Sequence, residues 1–182
     1  MEIVVLRVGH RLERDKRVTT HVGLVGRALG ARGMLLTSED KGVERSLNSV
    51  TKRWGGDFFV QTGVNWRDVM KTWKHEGGKV CHLTMYGENL PYVITEIRAA
   101  AEKEKARILV VVGAEKVPYE VYEAADWNIA VGNQPHSEIA ALALFLDYLQ
   151  QGNELKSEFE HAELEIVPTR KGKEVIARVN GE

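Results

Sequence analysis

The stretch Arg107–Leu149 constrains the fold more than any other part of the sequence. It contains two short apolar runs, Ile108–Val112 and Asn128–Val131, which end at Gly113 and Gly132. A polar turn and then a helical pattern follow each glycine. Glycine lets the backbone approach a ligand closely, and a helix N-terminus offers free N–H groups. Two such turns side by side predict a small-molecule cleft at the carboxyl ends of parallel strands.

Strand and helix patterns alternate six times along the chain, which predicts an α/β fold with a mainly parallel six-stranded sheet. The run Ile108–Val112 has no polar interruption, as is typical of a strand covered on both faces. The predicted strands are Ile3–Val8, Met34–Thr37, Phe58–Val60, Val80–Met85, Ile108–Val112 and Trp127–Val131. The predicted helices are His21–Leu29, Val43–Trp54, Trp66–Trp73 with Asn65 as cap, Pro91 to about Lys105, Pro118–Ala125 and Ser137–Leu149.

Two details of that pattern are specific enough to test. Residues 9–20 are polar and basic and are predicted to form a loop. In the helix that begins at Pro91, the candidate inner positions are Tyr92, Ile94, Ile97 and Ala101.

The pattern changes after Gly152. Glu163–Val167 and Glu174–Val179 alternate apolar and charged residues, and a basic turn separates them. This predicts a C-terminal antiparallel hairpin, so that residues 1–152 form the α/β domain and residues 153–182 an extension. The hairpin tip could touch a substrate or a partner subunit, or could be a simple appendage.

The predicted helix Ser137–Leu149 is apolar around most of its circumference. Such a helix must be buried on several sides. In so small a domain, the second burying surface could be another subunit.

The first part of the chain is strongly basic. Between Arg7 and Arg32 there are six arginines and one lysine against one glutamate and one aspartate, a local charge of +5 in a chain of net charge −1. Arginine's planar fork suits phosphate oxygens, so the segment points to a phosphate-bearing partner. A solvated charged loop is the alternative.

Composition excludes several classes of protein. The single cysteine, Cys81, cannot form an internal disulfide, is expected in the core, and suggests a reducing cytosol. The segment Met1–Val8 does not resemble a signal peptide, and the longest apolar run, Ile139–Leu146, is too short to cross a membrane. No contact with a membrane is therefore expected. The six histidines show no metal-ligand spacing, so no metal is expected either. His136 could bind a ligand or cap a helix. Taken alone, these features favour an enzyme acting on RNA or a phosphorylated substrate, with a nucleotide-binding sensor as the alternative.

The segments Arg7–Gly33, Val111–Pro118 and Val131–Leu149 resemble the archaeal-type tRNA cytidine-56 2′-O-ribose methyltransferase family, of the SPOUT class. The resemblance covers almost the whole chain. It implies a trefoil knot at about residues 80–149, a homodimer held together by the last helix, S-adenosylmethionine as cofactor and tRNA as substrate. A knotted tRNA- or nucleotide-binding protein without catalysis, and a methyltransferase acting on a base or a protein, are the alternatives.

The resemblance also implies site residues. His21, Arg27 and Gly33 keep the spacing of the first SPOUT motif, with histidine in place of its asparagine, so Arg27 and His21 are the catalytic candidates. The implied tRNA-facing residues are Arg11, Arg14, Asp15, Arg17, Thr19 and Thr20. The implied cofactor-binding residues are Leu83, Thr84, Gly113, Ala114, Glu115, Lys116, Val117, Val131, Gly132, Asn133, Gln134, Pro135, His136, Ser137 and Glu138.

Overall fold

The fold is that of a computed structural model, which describes residues 1–12, 14–102 and 106–178. The strands are β1 (Glu2–Val8), β2 (Gly33–Leu36), β3 (Phe59–Thr62), β4 (Lys79–Asn89), β5 (Arg107–Gly113), β6 (Trp127–Ala130), β7 (Leu164–Val167) and β8 (Glu174–Ala177). The helices are α1 (Lys16–Ala28), α2 (Lys41–Trp54), α3 (Trp66–His75), α4 (Leu90–Ala101), α5 (Tyr119–Ala124) and α6 (Glu138–Gln150). The predicted ends at Lys105 and Val179 lie outside the described residues.

The first six strands form one parallel sheet in the order β3-β2-β1-β5-β4-β6, and β7 pairs with β8 in a separate antiparallel hairpin. The predicted α/β architecture, with its parallel sheet and C-terminal hairpin, is therefore confirmed. All the strands of the sheet point the same way, so their carboxyl ends meet along one edge, where ligands bind in folds of this kind.

Alternate residues of the central strands pack on opposite faces of the sheet. Ile108 and Val110 belong to a core shared with α1, α2, α4 and α6, whereas Leu109 and Val111 belong to a core shared with α3 and α5. This explains the uninterrupted apolar run in β5, because helices cover both faces. Cys81 is fully buried in the first of these cores, and burial raises the pKa of its thiol far above the ordinary value.

Side-chain caps begin three of the helices. The carboxylate of Asp40 accepts from the Gly42 and Val43 amides, the Asn65 side chain accepts from the Arg67 amide, and Ser137 Oγ accepts from the Ile139 amide. Each cap satisfies a backbone donor that the helix itself leaves free. The predicted cap at Asn65 is confirmed.

Two predictions about helices are wrong. The segment predicted as a loop from Gly9 to Thr20 ends earlier, because α1 begins at Lys16 and adds more than a turn before His21. Tyr92, predicted to face inward, is 85% exposed. Apolar character alone placed Tyr92 in the core, but the buried stripe of α4 runs through Leu90, Val93, Ile94 and Ile97.

The segment before the hairpin packs against the end of α2. The Gly56 amide donates to the Glu160 carbonyl at 2.8 Å, and Ala162 is 4% exposed. The hairpin itself is mostly exposed, with Ile166, Val175 and Ile176 among its exposed residues.

Candidate active site

An open cleft of about 860 Å³ lies beyond the carboxyl ends of β4, β5 and β6. Three segments frame it: a loop within β4 and the turns that follow β5 and β6. The cleft is where the two glycine-ended turns were predicted to meet. Of the fifteen predicted cofactor residues, all but Ala114 and Asn133 line it.

The first wall is a loop within β4. Ile129 of β6 is paired both with Leu83 and with Glu88, so the residues between them leave the sheet and rejoin it. Gly87 lies so close to β6 that a Cβ there would collide with the backbone carbonyl of Asn128. The Asn133 side-chain amide donates to the carbonyls of Met85 and Gly87, at 2.9 Å each. Asn133 therefore holds the first wall to the third.

The second wall follows β5. A Cβ at Gly113 would collide with the Val117 side chain, so the tight turn requires glycine. The Ala114 amide donates to the Val8 carbonyl at 2.9 Å, which ties this turn to the end of β1. Ala114 thus shapes the cleft without lining it.

The third wall runs from Val131 to Glu138. Ring nitrogen Nε2 of His136 lies 2.6 Å from the Val131 carbonyl oxygen, and Nδ1 lies 3.1 Å from the Ser137 carbonyl oxygen. The imidazole therefore spans its own loop. His136 does not cap α6. Its N-terminal cap is Ser137, whose hydroxyl accepts from the Ile139 amide at 3.2 Å.

A polar network that was not predicted lies on one side of the cleft. The Asn128 amide nitrogen donates to the Tyr122 carbonyl at 2.9 Å, so the amide oxygen, 2.8 Å from His82 Nδ1, must accept from it. Burial lowers the pKa of His82, although its hydrogen bond to Asn128 acts in the opposite direction. His82 is therefore a neutral imidazole with its proton on Nδ1.

Tyrosine side chains complete that network. The edge of the Tyr122 ring meets His82 with centroids 4.6 Å apart, and the Tyr122 hydroxyl lies 3.1 Å from Thr84 Oγ1. Tyr119 stacks on Tyr122 at 6.2 Å. His82, Tyr119 and Tyr122 line the cleft but were not predicted as site residues. The same is true of Met85, Tyr86, Val112 and Ala141. The sequence signal for the two tyrosines was their spacing of three on the short helix after Pro118.

Part of the basic segment reaches the rim of the cleft. The Arg11 backbone amide and Nε both donate to Asp15 Oδ2, at 3.0 and 3.1 Å, and the Arg11 side chain lowers the pKa of the Asp15 carboxyl. Arg11 Nη1 lies 3.8 Å from Glu115 Oε2, on the second wall. Arg14 and Arg17 are exposed and form no salt bridge with another described residue. The Arg11 guanidinium therefore stands beside the cleft, and Arg14 and Arg17 are exposed in the same segment of the chain.

The remaining predicted tRNA-facing residues are less accessible. Asp15 is 7% exposed and Thr19 is fully buried. Thr19 Oγ1 lies 2.9 Å from His10 Nδ1, and Thr20 Oγ1 donates to the Lys16 carbonyl at 2.8 Å. Asp15 and Thr19 therefore shape the segment internally instead of presenting their polar groups to a ligand.

Arg27, the predicted catalytic arginine, lies at the far end of α1 from the cleft. Because α1 runs back along the sheet from the rim, its last turn lies about 16 Å from its first, at 1.5 Å per residue. There Arg27, 7% exposed, donates to the Gly55 carbonyl at 2.6 Å and lies over the Phe159 ring at 4.6 Å. Burial lowers the pKa of its guanidinium. His21 is exposed on α1 and does not line the cleft.

Within the described ranges, no group of three or more histidine, cysteine, aspartate or glutamate side chains is arranged to hold a metal ion. The helices of the same ranges are too short or too polar to span a bilayer.

A family model for "tRNA ribose 2′-O-methyltransferase, aTrm56" matches residues 54–176. A relative from Methanococcoides burtonii, named tRNA (cytidine(56)-2′-O)-methyltransferase, is 58% identical over 181 residues, which cover 100% of this chain and 99% of the relative. The chain belongs to the tRNA ribose 2′-O-methyltransferase family, aTrm56. The family resemblance found in the sequence is thereby confirmed.

Solved structures agree with the family's fold. An RNA 2′-O ribose methyltransferase superposes with a TM-score of 0.58 at 16% identity, over 84% of this chain and 57% of that one. A SpoU methyltransferase from Streptomyces viridochromogenes, solved in complex with the cofactor AdoMet, gives a TM-score of 0.56 at 12% identity, over 83% and 57%. This aTrm56 family chain thus spans just over half the length of those two proteins, and shares their fold.

Proposed function

We propose that the protein is an S-adenosylmethionine-dependent methyltransferase that methylates the ribose 2′-hydroxyl of cytidine 56 in tRNA. The observation that carries the proposal is a three-walled cleft with the exposed Arg11 at its rim, in a chain 58% identical over its whole length to a relative named for that reaction. The cleft offers a place for a nucleoside cofactor, and the arginines offer partners for RNA phosphates.

The described residues fit S-adenosylmethionine. The cleft volume is in the range that binds small molecules. Leu83, Val117 and Val131 supply apolar surface for an adenine ring, and the carboxylates of Glu115 and Glu138 suit a cationic ligand. When bound, the cofactor supplies a methyl group activated by a sulfonium centre.

The chain's own residues must align the ribose hydroxyl and stabilise the charge that develops on its oxygen. Arginine stays protonated, so it can bind the neighbouring phosphate and stabilise an alkoxide. We assign this role to Arg11, Arg14 and Arg17 at the rim in place of Arg27. Asp15 and Thr19 hold that segment in shape through their contacts with Arg11 and His10.

We propose that the protein is a homodimer that associates through the surface of α6. Leu144 and Tyr148, one helical turn apart, are 47% and 40% exposed, and Tyr92 on α4 is 85% exposed. Arg98 of α4 donates to the Tyr148 carbonyl, which joins the two helices. An apolar surface of this kind suits a second copy of the chain, and the rim arginines of one copy could then serve the cleft of the other.

We further propose a trefoil knot within about residues 80–149. In support, β6 lies outside β4 in the sheet although β5 comes between them in the chain, and Asn133 grips the loop within β4. Residues 153–182 would form an extension of the knotted domain. Because tRNA is the proposed substrate, we expect the enzyme to act in the cytoplasm.

Product mapping tests the proposal. Purified protein, labelled S-adenosylmethionine and an unmodified archaeal tRNA transcript are incubated, and the RNA is digested and analysed by mass spectrometry. The expected product is a single 2′-O-methylcytidine at position 56. A methyl group on a base would contradict the ribose assignment, and binding of both ligands without transfer would favour a non-catalytic protein.

A further inference from the structure

Arg7 is a buried arginine near the end of β1 that does not line the cleft. It is 1% exposed, and is among the largest fully buried side chains of the protein. Its Nη1 donates to the Gly113 carbonyl and its Nη2 to Glu138 Oε1, both at 2.8 Å. Its Nε has no partner among the described residues.

A buried guanidinium is costly unless its hydrogen bonds are well formed, so its partners indicate why it is there. Those partners are 106 and 131 residues away in sequence. Gly113 begins the second wall of the cleft, and Glu138 ends the third. One guanidinium fork therefore links β1 to two walls that come from separate stretches of the chain.

The fork geometry matters for this link. Arginine presents several N–H donors in a rigid plane, so it can bond a carbonyl and a carboxylate at the same time. Lysine carries all its donors on one nitrogen, so it cannot reproduce the geometry in which two separate nitrogens reach the two partners. The Glu138 carboxylate is 30% exposed and lines the cleft, so Arg7 orients a charged group that a cleft ligand would meet.

We propose that Arg7 is a positioning residue, which sets the spacing of the second and third walls and fixes the Glu138 carboxylate for the cationic cofactor. The inference deepens the proposed function and depends on it. Arg7 does not touch the ligand itself. It acts through Gly113 and Glu138.

The test measures S-adenosylmethionine affinity by isothermal titration calorimetry in Arg7→Lys, Arg7→Met, Glu138→Gln and the Arg7→Met/Glu138→Gln double variant. Arg107→Met is the matched control. Arg107 also bonds carboxylates, those of Glu2 and Glu76, but at the opposite end of the adjacent strand β5. Amide hydrogen exchange of the ligand-free proteins is measured in parallel, so that one readout is independent of the cofactor.

Arg7→Met is expected to raise the dissociation constant about tenfold or more, equivalent to about 1.4 kcal/mol. Arg7→Lys should fall between wild type and Arg7→Met. The double variant should lose less affinity than the sum of the two single losses, because Arg7 acts on the ligand partly through Glu138. Exchange should quicken at residues 113–117 and 131–138 in both Arg7 variants, but not in Arg107→Met.

Unchanged affinity and exchange in the Arg7 variants would overturn the inference, as would additive losses in the double variant. The same affinity loss in Arg107→Met would also overturn it, by indicating general destabilisation. If Arg7→Met fails to fold, Arg7→Lys and Glu138→Gln decide the matter. If wild type does not bind the cofactor, the proposed function fails, and the exchange measurement alone still tests whether Arg7 holds the two walls.

Discussion

At the scale of single residues, arginines of one basic segment have different environments. Arg7 and Arg27 are buried, whereas Arg11, Arg14 and Arg17 are exposed, and Arg11 contacts Glu115 at the cleft. The resemblance to the first SPOUT motif made Arg27 the catalytic candidate. A motif gives positions along the chain only. It does not show that α1, which rises about 1.5 Å per residue, places Arg27 far from the rim of the cleft.

Arg27→Met should lower stability but not activity, whereas Arg17→Ala should lower activity but not stability. Arg27→Met leaves the Gly55 carbonyl without its donor, and should lower the free energy of unfolding by about 2 kcal/mol while activity per folded molecule stays near wild type. Arg17→Ala should leave stability unchanged and reduce methyl transfer about 100-fold.

Urea unfolding beside a methyl-transfer assay measures both effects. Arg32→Ala is the matched control for Arg17→Ala, since Arg32 is exposed and its backbone amide bonds the Ile3 carbonyl near the start of β1. Loss of activity in Arg27→Met at full stability would return Arg27 to the catalytic role.

His82 should make the protein sensitive to acid. Burial lowers its pKa in the folded state, whereas an unfolded histidine titrates near about 6.5. Below that pH the unfolded state binds a proton that native His82 does not, so this contribution to stability is present above about pH 6.5 and is lost as pH falls.

Urea unfolding at several pH values between neutral and mildly acidic conditions measures this effect. The difference in stability between wild type and His82→Gln should shrink toward acid, by at most about 1.4 kcal/mol per pH unit for one proton. His75→Gln, at an exposed position on α3, is the control. A pH-independent difference for His82→Gln would mean that His82 already titrates normally in the folded protein.

At the scale of elements, periodicity predicted the strands and all six helices, since apolar residues dominate each buried stripe. It missed the start of α1, whose first turn is almost entirely polar or charged and carries little apolar signal. It also failed at Tyr92, because an amphipathic aromatic can face a partner as readily as a core.

The exposed apolar face of α6 should hold two copies of the chain together. Leu144→Glu would place a charge in that interface, so it should convert a dimer into monomers. Leu155→Glu is the control, because Leu155 is 69% exposed but lies beyond α6. Light scattering after size-exclusion chromatography measures the mass. A monomeric wild type, or a dimeric Leu144→Glu, would contradict the proposed interface.

At the scale of the whole molecule, the site was predictable where it depends on strand ends and glycines. The turns after β5 and β6 met as expected, because all carboxyl ends of a parallel sheet lie at one edge. The loop within β4 and the network around His82 and Tyr122 were not predictable in this way. They depend on side-chain contacts between segments far apart in sequence, which no local pattern records.

The central claim is that the ribose hydroxyl of one nucleotide accepts the methyl group. It is tested most directly with two synthetic tRNAs, one carrying a single 2′-deoxycytidine at position 56 and one carrying a single 2′-deoxynucleotide at the preceding position. Labelled methyl transfer should disappear with the first tRNA, which lacks the accepting oxygen, and persist with the second. Transfer to the tRNA that is 2′-deoxy at position 56 would contradict the account.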